Sequence, residues 1–425
     1  MNKEQATVVI WGNDNYNVLG LLRQLTPFVD VVIFLINKTK GHCASKSRYC
    51  ANTVVAKTTD DALSFLNTLN SKHQNKAFLI TTSDLLASLV DMHREQLSKK
   101  FILCTTKKQG TLTQSQDKNY QYELASKIGI KVPQSAILKF DSPIGYISYP
   151  CLIKPSFKLV GIKHPFKTYK CVNEGELLKA QRLLDKNGTY TLQRFVVKEK
   201  DILVYGCRFP DGNVVYAGTF TKSRWSKGGD GSYGTIESHI PNCIDLNKLN
   251  AFLKEIEYFG LFSAEFGVEN GIAWFYEFNL RNDGTSHYFY QSGLLNLPLL
   301  WVKNNIGSTT KLTCTNETSS IFIDEIEDFD NVKGNLISKS DWKLQRKSAT
   351  IFKYYDKTDI KPYIYVKAYY LLRHTYHALK LKKLFNMLNY RKLTRGGVIF
   401  KPNCVRLDVF YCNTYRIGLE NFKAA

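Results

Sequence analysis

The segment Gly271–Gly284, GIAWFYEFNLRNDG, decides how this chain is read. Trp274, Phe275, Tyr276 and Phe278 surround a carboxylate, an amide and a guanidinium at alternate positions, namely Glu277, Asn279 and Arg281. Successive side chains of a strand point to opposite faces. Strand geometry therefore predicts Glu277, Asn279 and Arg281 on one face, with Trp274, Tyr276, Phe278 and Leu280 on the other. The aromatic face suits a core. The polar face does not, because an unpaired carboxylate in apolar surroundings costs several kcal/mol.

A partner stands just upstream. LFSAEFGVENGIAWFYEFNLR reads as a hairpin turning at Asn270-Gly271, which brings Glu265 alongside. Two carboxylates and an amide oxygen are hard ligands in the number that suits Mg²⁺, with phosphate oxygens and water completing an octahedron. Arg281 then falls where it can touch the phosphate end of a Mg-nucleotide. The plainer alternative is a solvated strand face carrying a Glu–Arg pair.

Upstream of this hairpin the first hundred residues alternate short apolar strands (ATVVIWG, DVVIFLI, KAFLITTSD, KKFILCT) with helical stretches. That alternation predicts a parallel sheet covered on both faces. A lone Gly12 follows the first strand and GxGxxG is absent. DKNYQYELASKIGIKVP predicts a helix stopping at Gly129, and YPCLIKP a strand carrying Lys154. TYTLQRFVV is a further strand, followed by a hairpin turning at Asp211-Gly212.

Composition sets the outer bounds. A chain of 425 residues has room for two or three domains, and 44% hydrophobic residues excludes global disorder. The net charge of +21 points to an anionic partner. Ten scattered cysteines without a CxxC pair read as reduced thiols in a cytoplasmic protein, and no histidine spacing suits zinc. The amino terminus is a poor signal peptide, and no apolar run approaches the ~20 residues that span a bilayer. From Lys361 to Leu407 there are eleven Lys or Arg and no Asp or Glu. Within that run Tyr365, Ala368, Tyr369, Leu372, Tyr376 and Leu379 fall at helical spacing, and the stripe continues, shifted, through Leu381, Leu384, Phe385 and Leu388. It reads as a helix on an anionic membrane surface, as a helix packed on the body of the protein, or as a nucleic-acid contact. The last has no RRM, KH or zinc-finger pattern behind it, and is the weakest of the three.

Taken in order, SRYC (47–50), DK (117–118) opening a helix toward GIKVP, YPCLIKP, TLQRFVV, Glu265 and the E-x-N-x-R of Glu277, Asn279 and Arg281 resemble the ATP-grasp superfamily. The resemblance covers roughly residues 5–305. It implies an α/β plus α+β protein: a Rossmann-like domain (1–115), a two-lobed ATP-grasp domain (116–310, lobes 116–190 and 191–310) and a basic helical carboxy-terminal extension (311–425). It also implies ATP and Mg²⁺ or Mn²⁺ as cofactors. By motif position Lys118 and Lys154 would contact phosphates, and the backbone of Gln193, Arg194, Phe195 and Val196 would read adenine. Glu199 or Asp201 would approach the ribose. Glu265, Glu277 and Asn279 would hold the metal, and Arg281 the transferring phosphoryl group or the acyl phosphate.

The chain departs from the family where many members carry a Gly/Ser-rich flap over the triphosphate. Here that segment is SFKLVGIKHPFKTYKC: either Lys163, Lys167 or Lys170 would replace backbone donors, or the segment is a solvated basic hairpin. This departure looks like the subset of D-aspartate ligase-like and carboxylate–amine ligases of cell-envelope gene clusters. In the glycine-rich loop 221–235, Lys222 and Arg224 are candidates beside the γ-phosphate, with Arg224 as clamp for a substrate carboxylate. His287 is a candidate base, against the plainer reading of a packed core histidine. The expected reaction joins a carboxylate to an amine, or to another nucleophile such as a thiol, from small-molecule or lipid-linked substrates, by way of an acyl phosphate. The rival expectations are a non-catalytic ATP-binding scaffold and a basic nucleic-acid-binding protein.

Overall fold

The computed structural model describes residues 3–36, 43–73, 76–157, 162–308 and 318–379. They divide into two compact units, one of Met1–Pro133 with Val196–Thr375, the other built on Gln134–Phe195.

The larger unit begins with β1 (Glu4–Gly12), α1 (Tyr16–Leu25), β2 (Val29–Ile36), β3 (Asn52–Val55), α2 (Thr59–Thr68), β4 (Ala77–Thr81), α3 (Asp84–Met92), α4 (Arg94–Leu97) and β5 (Phe101–Leu103). The five strands form a sheet of order β3-β2-β1-β4-β5 in which every neighbouring pair is parallel. β1 is buried on both faces: Val8 and Ile10 enter one core cluster, Val9 and Trp11 another. That double burial is why it reads as an unbroken apolar run. α1 starts where the Asn15 side chain accepts from the amides of Asn17 and Val18.

β6 (Thr105–Thr106), α5 (Thr111–Ser115) and α6 (Lys118–Ile128) follow. The Asp117 side chain caps α6, and Gly129 ends it in the left-handed region, φ 85°, so Lys118 is its first residue.

The smaller unit holds β7 (Ser135–Leu138), β8 (Cys151–Pro155), β9 (Tyr169–Cys171), α7 (Glu174–Gln181) and β10 (Tyr190–Arg194). Its sheet has the order β7-β10-β8-β9 and is antiparallel throughout. Cys151, Ile153, Cys171, Tyr190 and Leu192 pack with Leu177 and Ala180 of α7. By alternation Lys154, Lys170, Thr191 and Gln193 take the opposite face.

Val196 returns the chain to the larger unit. There β11 (Lys200–Arg208), β12 (Val214–Trp225), β13 (Gly231–Glu237), α8 (Leu246–Glu255), β14 (Tyr258–Glu269), β15 (Ile272–Asn279), α9 (Ser286–Gln291) and α10 (Leu297–Asn305) precede β16 (Ser319–Ile323). α11 (Phe329–Lys333), α12 (Lys339–Ser348), β17 (Ile351–Phe352) and α13 (Lys361–Leu379) complete the described chain. The second sheet runs β15-β14-β11-β12-β13-β16-β17, with β6 paired to β14. Both expected hairpins are present, β11–β12 and β14–β15. Asn270 (φ 52°) and Gly271 (φ 73°) make the tight turn of the second, whose twist requires positive φ at both residues.

The expected side-chain alternation along β15 is broken. Glu265 pairs with Glu277 but Phe266 pairs with Phe275, so Tyr276 is the extra residue of a bulge. Ala273, Phe275, Phe278 and Leu280 enter the core, while Trp274 and Tyr276 stay half-buried outside it. Neighbouring segments hold this edge in place. The Phe275 amide donates to Lys131 O (2.8 Å), and Gln121 of α6 exchanges two hydrogen bonds with the Phe278 backbone. An edge strand is thereby covered.

The region expected as a carboxy-terminal extension opens with sheet elements, since β16 pairs with β13 and β17 with β16. α13 is helical, but its packed face is shifted from the expected stripe. Tyr363, Val366 and Tyr370 meet the core, whereas Ala368 and Leu372 are exposed. The Tyr370 hydroxyl donates to Asp330 (2.6 Å), which helps set that phase. The rest of the basic run, 380–407, lies outside the described residues, as do the side chains of Tyr376 and Leu379. No described helix is long and apolar enough to cross a membrane.

Candidate active site

In the larger unit, register gathers the predicted polar residues on one face of the second sheet. Glu265 is opposite Glu277 and Ser263 opposite Asn279 across β14–β15, while Asp201 is opposite Lys222 across β11–β12. Lys222 Nζ reaches Glu265 at 3.0 Å and Asp201 at 3.7 Å, and Lys118, at the head of α6, is ion-paired with Glu277. The Asn279 amide nitrogen donates to Ser263 (3.1 Å) and Glu265 (3.3 Å). Its oxygen, the atom a hard cation would take, accepts from Arg281 (3.0 Å). Arg281 in turn is held by Asp84 at the start of α3 (2.6 Å).

The electrostatics follow from partial burial. Burial disfavours the charge on Lys222, yet the Glu265 and Asp201 carboxylates outweigh it and raise the ammonium above its ordinary value. Lys118 behaves alike, burial opposing and Glu277 prevailing. Burial pushes Glu265 up; Lys222 pulls it down, and Glu277 and Asp201 push it up again, so it ends raised. Two carboxylates that repel across one ladder position mark where an added positive charge is most favourable. Among the described residues no three His, Cys, Asp or Glu side chains converge as a metal cluster. Glu265 and Glu277 are two hard ligands of the kind a divalent cation takes, whereas the Asn279 amide turns its nitrogen to Glu265 and its oxygen to Arg281, so its oxygen would join them only with the amide turned over.

In the smaller unit, Lys154 donates to Gln193 Oε1 (3.0 Å), and Lys170 Nζ lies 4.2 Å from the centre of the Phe195 ring. The backbone of 194–195 is tied to the unit's own loops, Arg194 N to Gln134 O and Phe195 N to Pro150 O (both 2.9 Å). Lys163 and Lys167 are exposed, and residues 158–161 of the expected flap lie outside the described set. Val196, the first residue of the larger unit's return, is buried.

Several expectations are corrected. Arg224 is no free clamp: its guanidinium binds Asp328 twice (3.1 and 2.7 Å) and Gln345 once (2.6 Å), and lies 4.0 Å over the Tyr233 ring. Asp328 is fully buried and also accepts from Ser232, Asn331 and Trp342, so this is an internal brace. Asp201 is not presented to a ribose but is held by Lys198 (2.6 Å), Lys222 and the Trp225 indole (3.1 Å). The Glu199 carboxylate accepts from the Asn270 amide (2.7 Å) and so holds the β14–β15 turn. His287 is 3% exposed, its ring nitrogens have no hydrogen-bond partner among the described residues, and burial lowers it to about 3. It is a core residue, not a base.

The expectations passed over Ser263, Lys198, Trp225 and Asp84. Ser263 was within reach of the period-two argument, two residues before Glu265. Asp84 lies 197 residues from Arg281 and carries no local signal.

No protein-family model matches this chain, and no curated protein matches it by sequence. Solved structures do match. N5-carboxyaminoimidazole synthetase from Staphylococcus aureus, complexed with ADP, superposes at a TM-score of 0.60 with 12% identity, over 79% of this chain and 87% of its own. The L-amino acid ligase from Bacillus licheniformis gives 0.57 at 12% identity, over 75% and 80%. Biotin carboxylase from Campylobacter jejuni, in a beta-gamma-ATP complex, gives 0.55 at 14%, over 74% of each chain. At these identities the likeness is one of fold, and the fold is ATP-grasp.

Proposed function

We propose that this chain is an ATP-dependent, ADP-forming ligase that joins a carboxylate to an amine. The observation that carries the reading is the opposition of Glu265 and Glu277 on neighbouring strands, flanked by the Lys222 and Lys118 ammonium groups and followed by Asn279 and Arg281. A divalent cation held by Glu265, Glu277 and Asn279 would neutralise phosphate charge. Lys118 and Lys222, then released from the two carboxylates, would turn to phosphate oxygens. Arg281, held by Asp84, would meet the transferring phosphoryl group. In the smaller unit, taken by itself, Lys154 and Lys170 would be phosphate contacts, and the backbone of 193–196 is the candidate adenine contact.

The reaction needs positioning and charge stabilisation more than a dedicated base. A substrate carboxylate oxygen bonds to the γ-phosphorus as the bond to the ADP oxygen breaks. The amine nitrogen then attacks the acyl carbon, phosphate leaves, and the nitrogen gives up a proton. A narrower form, with a lipid-linked acceptor from cell-envelope assembly, draws on the basic run 361–407 alone; salt-sensitive binding to anionic vesicles is the measurement that would carry it.

Calorimetry with Mg-ATP, and trapping of the acyl phosphate by hydroxylamine across a panel of acids, test the main reading. Glu265→Gln and Glu277→Gln should each weaken Mg-ATP binding by about tenfold or more. Folded protein that takes up no ATP in a magnesium-dependent way removes the proposal.

A further inference from the structure

The two sides of α13 differ in kind. On one side Tyr363, Val366 and Tyr370 meet the core, and Val366, Tyr369, Tyr370 and Arg373 line a small cavity together with Asp14 and Glu327. Asp330 accepts from the Tyr370 hydroxyl on the same side. The acids beside this helix therefore sit on its packed side, and the Arg373 guanidinium is turned toward them.

The other side is apolar and open to solvent. Ile360, just before the helix, and Ile364, Leu371 and Leu372 within it are each between 43% and 57% exposed, and Ala368 among them is exposed as well. Steps of three and four residues put all five on one stripe. A single exposed apolar residue is ordinary on a protein surface, whereas a contiguous stripe marks a contact. Cations edge it. Lys361 stands at its amino end and Lys367 along one side, both exposed, and on the other side Lys46 Nζ lies 5.3 Å over the Tyr365 ring.

Charge decides among the possible occupants. Residues 361–407 hold eleven Lys or Arg and no Asp or Glu. A second copy of this helix, or the chain's own residues 380–407, would bring like charge onto the stripe. Nucleic acid would satisfy the lysines and leave the apolar residues in water. An anionic lipid surface satisfies both.

We infer that α13 lies in the surface of an anionic bilayer, with Ile364, Ala368, Leu371 and Leu372 at the acyl boundary and Lys361 and Lys367 among the headgroups. Helices with an apolar stripe and basic flanks lie in the interface plane, and lysine stems bury while their ammonium groups stay at headgroup level. The inference goes beyond the ligase reading and does not rest on it, since it gives the chain a location whichever substrates it joins.

The test uses the full chain and sedimentation with vesicles of phosphatidylcholine containing phosphatidylserine, against phosphatidylcholine alone. The anionic vesicles should bind about tenfold or more tightly than the neutral ones, and less as salt is raised. Ile364→Gln combined with Leu371→Gln leaves every charge in place and should weaken that binding about tenfold. Lys361→Gln combined with Lys367→Gln should weaken it by a similar factor, about tenfold. All four positions are exposed, so the risk to folding is low. Met92→Gln, at an equally exposed apolar position on α3, should change nothing. No vesicle binding by the folded chain, equal binding to both kinds of vesicle, or anionic binding that the Ile364/Leu371 variant leaves intact overturns the inference. Self-association without vesicle binding, abolished by that same variant, would assign the face to a second copy instead. Oligonucleotide binding without vesicle binding, abolished by the lysine variant, would assign it to nucleic acid.

Discussion

His287 offers the sharpest quantitative check on the core. Its ring lies on α9 against Gly20 of α1, where a Cβ would stand 2.7 Å from the His287 Cβ, so the two helices close directly over it. Burial first, then the Arg23 guanidinium, with Asp356 opposing, lowers the imidazole from 6.5 to about 3. The unfolded chain therefore binds a proton near pH 6.5 that the native chain refuses until about pH 3. Stability from this group is fully present above pH 6.5 and is lost as pH falls toward 3, at ~1.4 kcal/mol per pH unit. Between pH 7 and pH 5 the loss is about 2 kcal/mol.

The perturbation is His287→Phe, which keeps a planar ring and removes the titration. Urea unfolding of both proteins at pH 7 and pH 5 gives four free energies. The packing offset of the substitution cancels when the pH 7-to-5 change is compared, as do most other titrating groups. The native protein should lose about 2 kcal/mol more than the variant over that interval. Equal losses would show that the imidazole is hydrated or paired in solution, and the account of α9 as a dry helix contact would be wrong.

The bulge at Tyr276 predicts an order of damage opposite to simple alternation. Phe275→Ala should cost about 3–5 kcal/mol in chemical denaturation, since its ring is fully buried against Phe252, Phe266 and Phe278, while Trp274→Ala should cost clearly less. The Arg224 brace predicts that Asp328→Ala destabilises by about 3–5 kcal/mol, because it strands a guanidinium and three further donors around a buried point. The same measurement on Arg224→Lys should show a loss as well, an ammonium being unable to reproduce the two-pronged contact.

What could be read from the sequence is what backbone register dictates. Glu265 and Glu277 are separated by one tight turn, and once Asn270-Gly271 is identified the two carboxylates must come within a residue of facing each other. Lys118 needed only a cap and a helix start, both local. The bulge was illegible because nothing at Tyr276 announces it; its cause is Lys131 and Gln121, more than a hundred residues away, which take the backbone groups of Phe275 and Phe278. Arg224 was misread for a similar reason. A guanidinium in a glycine-rich loop looks available until Asp328, 104 residues on, is seen to occupy it.

Asp359 shows how far this separation can run and what trace it leaves. It is 3% exposed and accepts from Arg23 Nε (2.9 Å), the Ser47 hydroxyl (2.7 Å) and the Arg48 amide (2.8 Å), which gives the Ser47–Arg48 turn its anchor. No motif surrounds it. Yet Asp359 is the last acid before a stretch of eleven Lys and Arg with none, and a free carboxylate there would be expected to pair with those lysines in water. Its burial against the first helix instead means that the chain leading into α13 is tied to the amino-terminal sheet by a charge pair rather than by apolar contact alone. Removing one partner of such a pair leaves the other buried and uncompensated. Arg23→Ala should therefore loosen both the 47–50 turn and the approach to α13, seen as faster amide exchange at Arg48 and Ile364 together; exchange rising at one site alone would show that the two are held independently.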